Sequence, residues 1–148
     1  MATQWTAGTT SGQVLTAATL NTIGAAWVDY TPTLTQGVTV TKTVVQARYC
    51  QLQKTVIGQM VLNVTSAGTA GNFVLVGVPL TARATNGMSV FGYIYDANTN
   101  LIYNVTGYMY TTTTMAFFYQ TGSAFGVSPA VTLASGDQIA LNFSYEIA

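Results

Sequence analysis

The sequence has no histidine, a single cysteine and very few charged residues. Lysine and arginine together occupy 4 of 148 positions, and aspartate and glutamate occupy another 4. Without histidine, the Ser-His and Cys-His pairs of nucleophilic catalysis cannot form. One cysteine cannot supply the ligands of a zinc site either. Because general acid-base catalysis also depends on titratable side chains, the composition predicts a protein that is not an enzyme and that holds no cofactor or metal.

The formal net charge is zero, and the four basic residues are scattered along the chain. Nucleic-acid binding needs clustered lysine and arginine, so no nucleic-acid partner is expected. Zero net charge also removes repulsion between copies and favours self-association. The first five residues, Met1 to Trp5, show neither the basic nor the apolar region of a signal peptide, and no apolar run is long enough to span a membrane. We expect synthesis in the cytoplasm without membrane insertion.

Hydrophobic residues are abundant, at 49% of the chain. A chain of this length and composition can bury one core without a disulfide or a metal, so a single globular body is expected. Cys50 has no second cysteine to pair with and is predicted to be a buried, small apolar residue. Threonine occupies 26 positions. Its β-branched side chain favours strands, and its hydroxyl keeps an exposed face polar without charge.

Residues 1–29 differ from the rest and are predicted to form an N-terminal arm with one short attachment helix. Residues 15–27 are the alanine-rich passage of the chain, and Leu20, Ile23 and Trp27 fall on one apolar stripe at helical spacing. A helix of about three turns is marginally stable alone in water. The stripe therefore packs either on its own domain or on a neighbouring protein chain, and the sequence leaves both alternatives open.

From residue 30 onward the composition is that of β-strands separated by turn residues. Strands are predicted over residues 38–44, 48–52, 55–64, 73–78, 88–95, 101–110, 115–120 and 138–147. Helical periodicity is not seen in this part of the chain. Residues 30–148 are therefore predicted to form an all-β domain, an antiparallel β-sandwich of the jelly-roll kind.

Asp96 and Asp137 are the two acids that could pair in space as a glycosidase dyad. Each lies in a predicted hairpin loop, where an aspartate commonly caps backbone N–H groups. The capping interpretation is favoured, and a small glycan hydrolase is the least favoured of the functions considered. A calcium site would need several carboxylates close together, which the sequence does not offer.

Aromatic residues concentrate in three consecutive predicted strands. Five tyrosines there are candidates for a subunit interface or a glycan-binding surface: Tyr93, Tyr95, Tyr103, Tyr108 and Tyr110. Their rings are rigid and amphipathic, so an exposed stripe of them could stack on sugar rings. Tyrosine is also enriched at subunit interfaces. A core and subunit interface is the favoured interpretation, because an uncovered aromatic face promotes aggregation.

Short motifs along nearly the whole chain resemble those of bacteriophage fibre and minor structural proteins. Trp5-Thr-Ala-Gly8, Val14-Leu-Thr-Ala-Ala18 and Leu20-Asn21 are similar to the N-terminal attachment segment of these proteins. The body is similar to the small β-module found with that segment, through residues 30–34, 48–49, 54–56, 78–82, 136–139 and 145–146. A tight turn is predicted at Gln53-Lys54. Ala47 and Gln53 stand near Arg48 and before Lys54, where that pattern usually has glycine, so the turn there is expected to differ from the family's.

The resemblance implies a homotrimeric virion protein that binds capsid or tail proteins through its N-terminal segment. The docking residues would be Trp5, Leu15, Leu20, Ile23 and Trp27. Since the chain carries no heptads or β-helix repeats that could form a shaft, a capsid-decoration or head-fibre role is favoured over a tail role. The alternative is a tail-tip or tail-fibre module that recognises host cell-surface glycan. In either case the protein would be made in the host cytoplasm and reside in the virion.

Overall fold

The computed structural model describes residues 26–119 and 122–148, and every regular element within these ranges is a β-strand. The strands are β1 Val28–Asp29, β2 Leu34–Gln36, β3 Val38–Thr39, β4 Lys42–Leu52, β5 Thr55–Val64, β6 Leu75–Gly77, β7 Ser89–Asp96, β8 Leu101–Thr111, β9 Thr114–Tyr119, β10 Ser123–Ala124 and β11 Gln138–Glu146. All of them pair in antiparallel fashion. The predicted all-β, antiparallel class is confirmed.

Hydrogen bonds join these strands into one curled sheet. Their order across the sheet is β1-β4-β5-β11-β7-β8-β9-β6-β2-β3, and β10 pairs with β9. Val40 and Thr41 connect β3, at one end of this order, to β4 near the other end. The backbone N–H of Val40 donates to Leu34 O (2.9 Å), and that of Thr65 donates to Thr41 O (2.9 Å). The sheet therefore curls into a half-barrel, while the two-layer sandwich stays a prediction.

The inner face of the curled sheet is filled by alternating residues of its central strands. Because successive strand residues point to opposite faces, β5 buries Val56, Met60 and Leu62, and β11 buries Ile139 and Leu141. These side chains belong to one hydrophobic cluster with residues of β2, β6 and β9, which lie at the other end of the strand order. A single core therefore serves both ends of the sheet.

Strand β4 runs without a break for 11 residues where the sequence predicted a gap. Its pairing with β5 shifts between Val44 and Gln46. This bulge leaves Val45 exposed and shifts by one residue the positions that face the core. In the sequence, the alternation of apolar and polar residues is therefore broken there, as it would be at the end of a strand. The predicted turn after β4 is confirmed, with Gln53 in the left-handed region at φ 52°. Cys50 on β4 is buried, as predicted.

Gln36 is a fully buried polar residue at the end of β2. Its Nε2 donates to Val131 O (2.7 Å), and its Oε1 accepts from the backbone N–H of Leu133 (2.8 Å). Its own carbonyl oxygen accepts from the N–H of Thr69 (2.8 Å). Because buried polar groups are stable only when they are hydrogen-bonded, these contacts fix two loops against β2.

No helix occurs within residues 26–119 and 122–148. Most of residues 15–27 lie outside the described ranges, and the last two, Ala26 and Trp27, are not helical. The prediction of a short N-terminal helix is therefore wrong for the C-terminal end of that helix. Val28 and Asp29, which the sequence assigned to the arm, form β1 and pair with β4 instead. Pairing with the long strand β4 gives their backbone N–H and C=O groups hydrogen-bond partners. The helical spacing of three apolar residues carries no information about such pairing.

Candidate functional site

One face of the sheet carries the outward side chains of β5, β11, β7 and β8, and we call it the outer face. Three rows of side chains cross it: Gln59, Asn142, Phe91 and Thr106; Val61, Ala140, Tyr93 and Asn104; and Asn63, Gln138, Tyr95 and Ile102. Side chains directly opposite each other on neighbouring strands are about 5 Å apart. The rows are rich in amide groups and aromatic rings, and none of their side chains is charged.

Tyr93 and Tyr95, two of the five candidate tyrosines, lie half-buried on the outer face. The Tyr93 hydroxyl donates to Oε1 of Gln138 (2.7 Å), and Nε2 of Gln138 donates to Oδ1 of Asn63 (3.1 Å). The Tyr95 hydroxyl donates to Oδ1 of Asn100 (3.0 Å). These bonds hold Tyr93 beside the amide groups of β5 and β11, and Tyr95 beside Asn100 in the loop between β7 and β8.

Tyr108 and Tyr110 lie farther along β8, each against another aromatic ring. Tyr108 stacks on Phe118 with ring centroids 4.5 Å apart and an interplanar angle of 18°. Tyr110 packs on Phe73, with centroids 5.3 Å apart. Burial, and then the neighbouring Tyr110, raise the pKa of Tyr108. These rings are occupied by intramolecular contacts and form a second aromatic group, separate from Tyr93 and Tyr95.

Tyr103 does not share a surface with the other candidate tyrosines. Its ring packs edge-on against Tyr119 (centroids 5.2 Å apart, 80°) and against the fully buried Phe125 (5.2 Å, 63°). It is one of the half-buried residues that pack against the core. The structure therefore gives Tyr103 a core-facing position, in line with the core interpretation of the aromatic strands rather than with a binding surface.

A cleft of 240 Å³ opens on the outer face beside Trp27 and Phe91. The side chains of Trp27 and Phe91 are 46% and 62% exposed, and Ile57 between them is 41% exposed. The polar part of the lining includes Gln59, Asn142 and Ser144. Gln59 lies opposite Asn142, and Ile57 lies opposite Ser144, in the register of β5 with β11. The cleft thus combines large apolar surfaces with uncharged hydrogen-bonding groups.

Arg48 lies at the edge of the outer face and contacts both the cleft and β1. Its Cζ is 4.8 Å from the centroid of the Trp27 ring, a cation–π contact. Gln46 and Gln59 flank its guanidinium, and the amide orientation that satisfies these groups turns an oxygen toward Nε and Nη2 of Arg48. The guanidinium therefore holds Trp27 and Gln59 in place beside the cleft.

Asp96 and Asp137 cap backbone groups, which confirms the capping interpretation. The prediction of a hairpin at Asp137 is wrong, because the strand that follows, β11, pairs with β5 and β7 and not with its neighbour in sequence. Oδ1 of Asp96 accepts from the N–H groups of Asn98 (2.9 Å) and Thr99 (3.2 Å). Oδ1 of Asp137 accepts from Ala97 (2.9 Å), and its Oδ2 accepts from the N–H of Ala134 (2.8 Å). Burial raises the pKa of Asp137; the two backbone hydrogen bonds lower it, and the nearby Asp96 raises it further. Asp96 is thus engaged with its own loop, and Asp137 bridges its own loop and that of Asp96.

The part of the chain that the structure describes contains no cluster of metal-ligating side chains. No three histidine, cysteine, aspartate or glutamate side chains among residues 26–119 and 122–148 lie close enough together to hold an ion. The same ranges contain no helix of the length and apolar character that a membrane span requires. Of the five predicted docking residues, Trp5, Leu15, Leu20 and Ile23 lie outside the described ranges. Trp27 is the one within them.

Most residues of the cleft were not among the predicted site residues. Alternation along β7 places Phe91 on the same side as Tyr93 and Tyr95, but it does not distinguish Phe91 as part of a cleft. Gln59 and Asn142 carry no such signal, because β11 lies between β5 and β7 only as a result of long-range pairing. No protein-family model matches the chain, and comparison with curated proteins and with solved structures also gives no match.

Proposed function

We propose that the protein is a non-enzymatic structural protein on the surface of a bacteriophage particle. It forms a homotrimer and docks on capsid or tail proteins through its N-terminal segment, and a capsid-decoration or head-fibre role is favoured over a tail role. The resemblance of its short motifs to phage fibre and minor structural proteins supports the assignment of the protein to a bacteriophage particle. The finer fold assignment, a jelly-roll-like sandwich, belongs to the same proposal. It is supported by the single core that both ends of the curled sheet share.

The observation that carries the proposal is the outer face, whose three rows of side chains are uncharged and partly apolar. Phe91 and Ile102 are each 62% exposed on it, and Ile57 also projects there. Exposed apolar side chains of this kind promote self-association or aggregation of the protein unless a partner covers them. In an assembly of many copies, the same face becomes contact area, and the absence of charge allows neutral bodies to pack side by side.

The copy number of the protein in purified particles tests this proposal. Quantitative mass spectrometry against the major capsid protein should give hundreds of copies per particle for a capsid decoration and only a handful for a tail protein. Sedimentation equilibrium of the purified chain should give the mass of three copies. Absence of the protein from washed particles would overturn the assignment to the virion, and a monomer at all concentrations would overturn the trimer.

A second candidate function is a tail-tip or tail-fibre module that recognises host cell-surface glycan. It is favoured by Tyr93 and Tyr95, whose rings lie on the outer face among amide groups. Tyr95→Ala should then abolish binding of the particles to host envelope while the trimer remains intact. Unchanged attachment by particles that carry this variant would remove the candidate.

A further inference from the structure

The cleft between Trp27 and Phe91 has a lining that suits one class of ligand. None of the described residues that line it is charged. A phosphate or carboxylate ligand would find no cation among the lining residues to pair with, and the nearby Arg48 directs its Nε and Nη2 at two amides instead. The lining therefore favours an uncharged ligand.

The cleft has apolar surfaces that could contact the faces of a sugar ring and polar groups that could bond to the hydroxyls at its rim. Trp27 and Phe91 offer exposed aromatic surface, with Arg48 covering one face of the Trp27 ring, and Ile57 also lines the cleft. A pyranose presents C–H bonds on its faces and hydroxyls around its rim, so its faces can pack on such rings. The side-chain amides of Gln59 and Asn142 and the Ser144 hydroxyl supply both donors and acceptors for those hydroxyls.

The size of the cleft limits the ligand further. Its volume of 240 Å³ is below the roughly 300–1,000 Å³ that is typical of pockets for drug-sized ligands. One sugar ring fits this volume, and longer chains would extend along the outer face toward Tyr93. Arg48 contributes as a positioning residue, because it holds Trp27 on one side and Gln59 on the other.

We propose that this cleft binds a single uncharged pyranose, the terminal or exposed sugar of a glycan. The proposal adds a sugar site beyond the Tyr93 and Tyr95 surface of the second candidate function, because neither tyrosine lines the cleft. It does not depend on the assignment to the capsid. Sugar binding by the isolated protein and incorporation into particles are separate measurements. A failure of one is therefore distinguishable from a failure of the other.

Saturation-transfer difference NMR on the full chain tests the proposal. The probes are the methyl glycosides of glucose, galactose and N-acetylglucosamine. At least one of them should receive magnetisation through its ring C–H protons. Phe91→Ala should weaken that binding about tenfold, the value of one good ring contact. Asn142→Leu, which keeps the apolar walls and removes a hydrogen-bonding group, should weaken it about fivefold.

Ile102→Ala is the matched control, because Ile102 is as exposed as Phe91 and lies on the neighbouring strand of the same face. It should leave sugar binding unchanged, and circular dichroism should show that all three variants keep their strands. Absence of a transfer signal with all three probes would overturn the proposal. So would equal binding by the wild type and Phe91→Ala. If Phe91→Ala instead dissociates the oligomer and the intact oligomer binds no sugar, the cleft is covered by a second copy and the proposal is wrong.

Discussion

The indole ring of Trp27 lies against the guanidinium of Arg48, with Cζ 4.8 Å from the ring centroid. The sequence predicted Trp27 at the end of a helix, and the resemblance to phage proteins implied a docking role for it. In the structure Trp27 precedes β1 and contacts the sheet through Arg48 of β4. Trp27 therefore belongs to the folded body. A segment that docks on another protein is accordingly expected within residues 1–25.

Removal of residues 1–25 should leave the body folded and prevent it from joining particles. Strand β1 and the contact between Trp27 and Arg48 are retained in this truncation, so the midpoint of thermal unfolding should not change. Removal of residues 1–29 also deletes β1 and should lower the free energy of unfolding by about 1 kcal/mol or more. Calorimetry and a particle-binding assay measure the two effects. If the shorter truncation still attaches to particles, the docking assignment is wrong.

Gly58→Ala should destabilise the protein by about 1–3 kcal/mol, the usual cost of overpacking a core. Gly58 lies opposite Phe143 in the pairing of β5 with β11, and a Cβ added at Gly58 would overlap the Phe143 ring. Urea denaturation measures the loss. Combining the change with Phe143→Leu should recover part of the cost of Gly58→Ala, because the smaller side chain makes room. Strictly additive effects would contradict this account of the glycine.

Gln36→Leu should lower the free energy of unfolding by roughly 2 kcal/mol or more. The substitution keeps the buried volume but leaves the N–H of Leu133 and the carbonyl of Val131 without their side-chain partner. Gln51→Leu is the control: its Nε2 donates to Gln53 O at an exposed position, and a change within about 0.5 kcal/mol is expected. Similar losses for both variants in denaturant titrations would show that the buried contacts of Gln36 contribute little.

Asp137 should make the protein less stable as pH rises through the acid range. Burial raises its folded pKa above the ordinary value of 3.8, so the folded state holds the proton more tightly than the unfolded chain does. The stabilising contribution is therefore complete below that value and is lost as pH rises through the folded pKa. Asp137→Asn cannot titrate. The free energy of unfolding of the wild type, measured relative to this variant, should therefore fall as pH rises. A flat difference, or one of opposite slope, would mean that the bonds from Ala97 and Ala134 outweigh burial.

Much of the fold could be predicted from local sequence patterns. The prediction for β5, residues 55–64, matches the structure at both ends, and β8 and β11 each differ by one residue at the C-terminal end. Alternating apolar residues and turn residues carry this information locally. The two-residue strands β1 and β10 were missed, because so short a stretch has no period to detect. The bulge at Val45 was missed because it changes the alternation within one strand.

The candidate site depended much less on local patterns. Alternation separates Tyr93 and Tyr95 from the core side of β7, but it did not show that Tyr103 packs on Phe125. That contact comes from a loop distant in sequence. Likewise, the cleft exists because Trp27, Gln59 and Asn142 come from three separate parts of the chain. Their proximity follows from strand order, which single-sequence periodicity does not encode.

By itself, the sequence determined the composition of the surface and the type of structure. Eight charged residues, no histidine and 26 threonines limit the chemistry, and β-branched alternation commits the body to strands, because both are properties of the residues and their immediate neighbours. Only the tertiary structure decided that Trp27 lies on the sheet and that aromatic rings and amides from distant strands share one face. Antiparallel pairing over long separations sets these relationships, and its free energy depends on how the whole core packs.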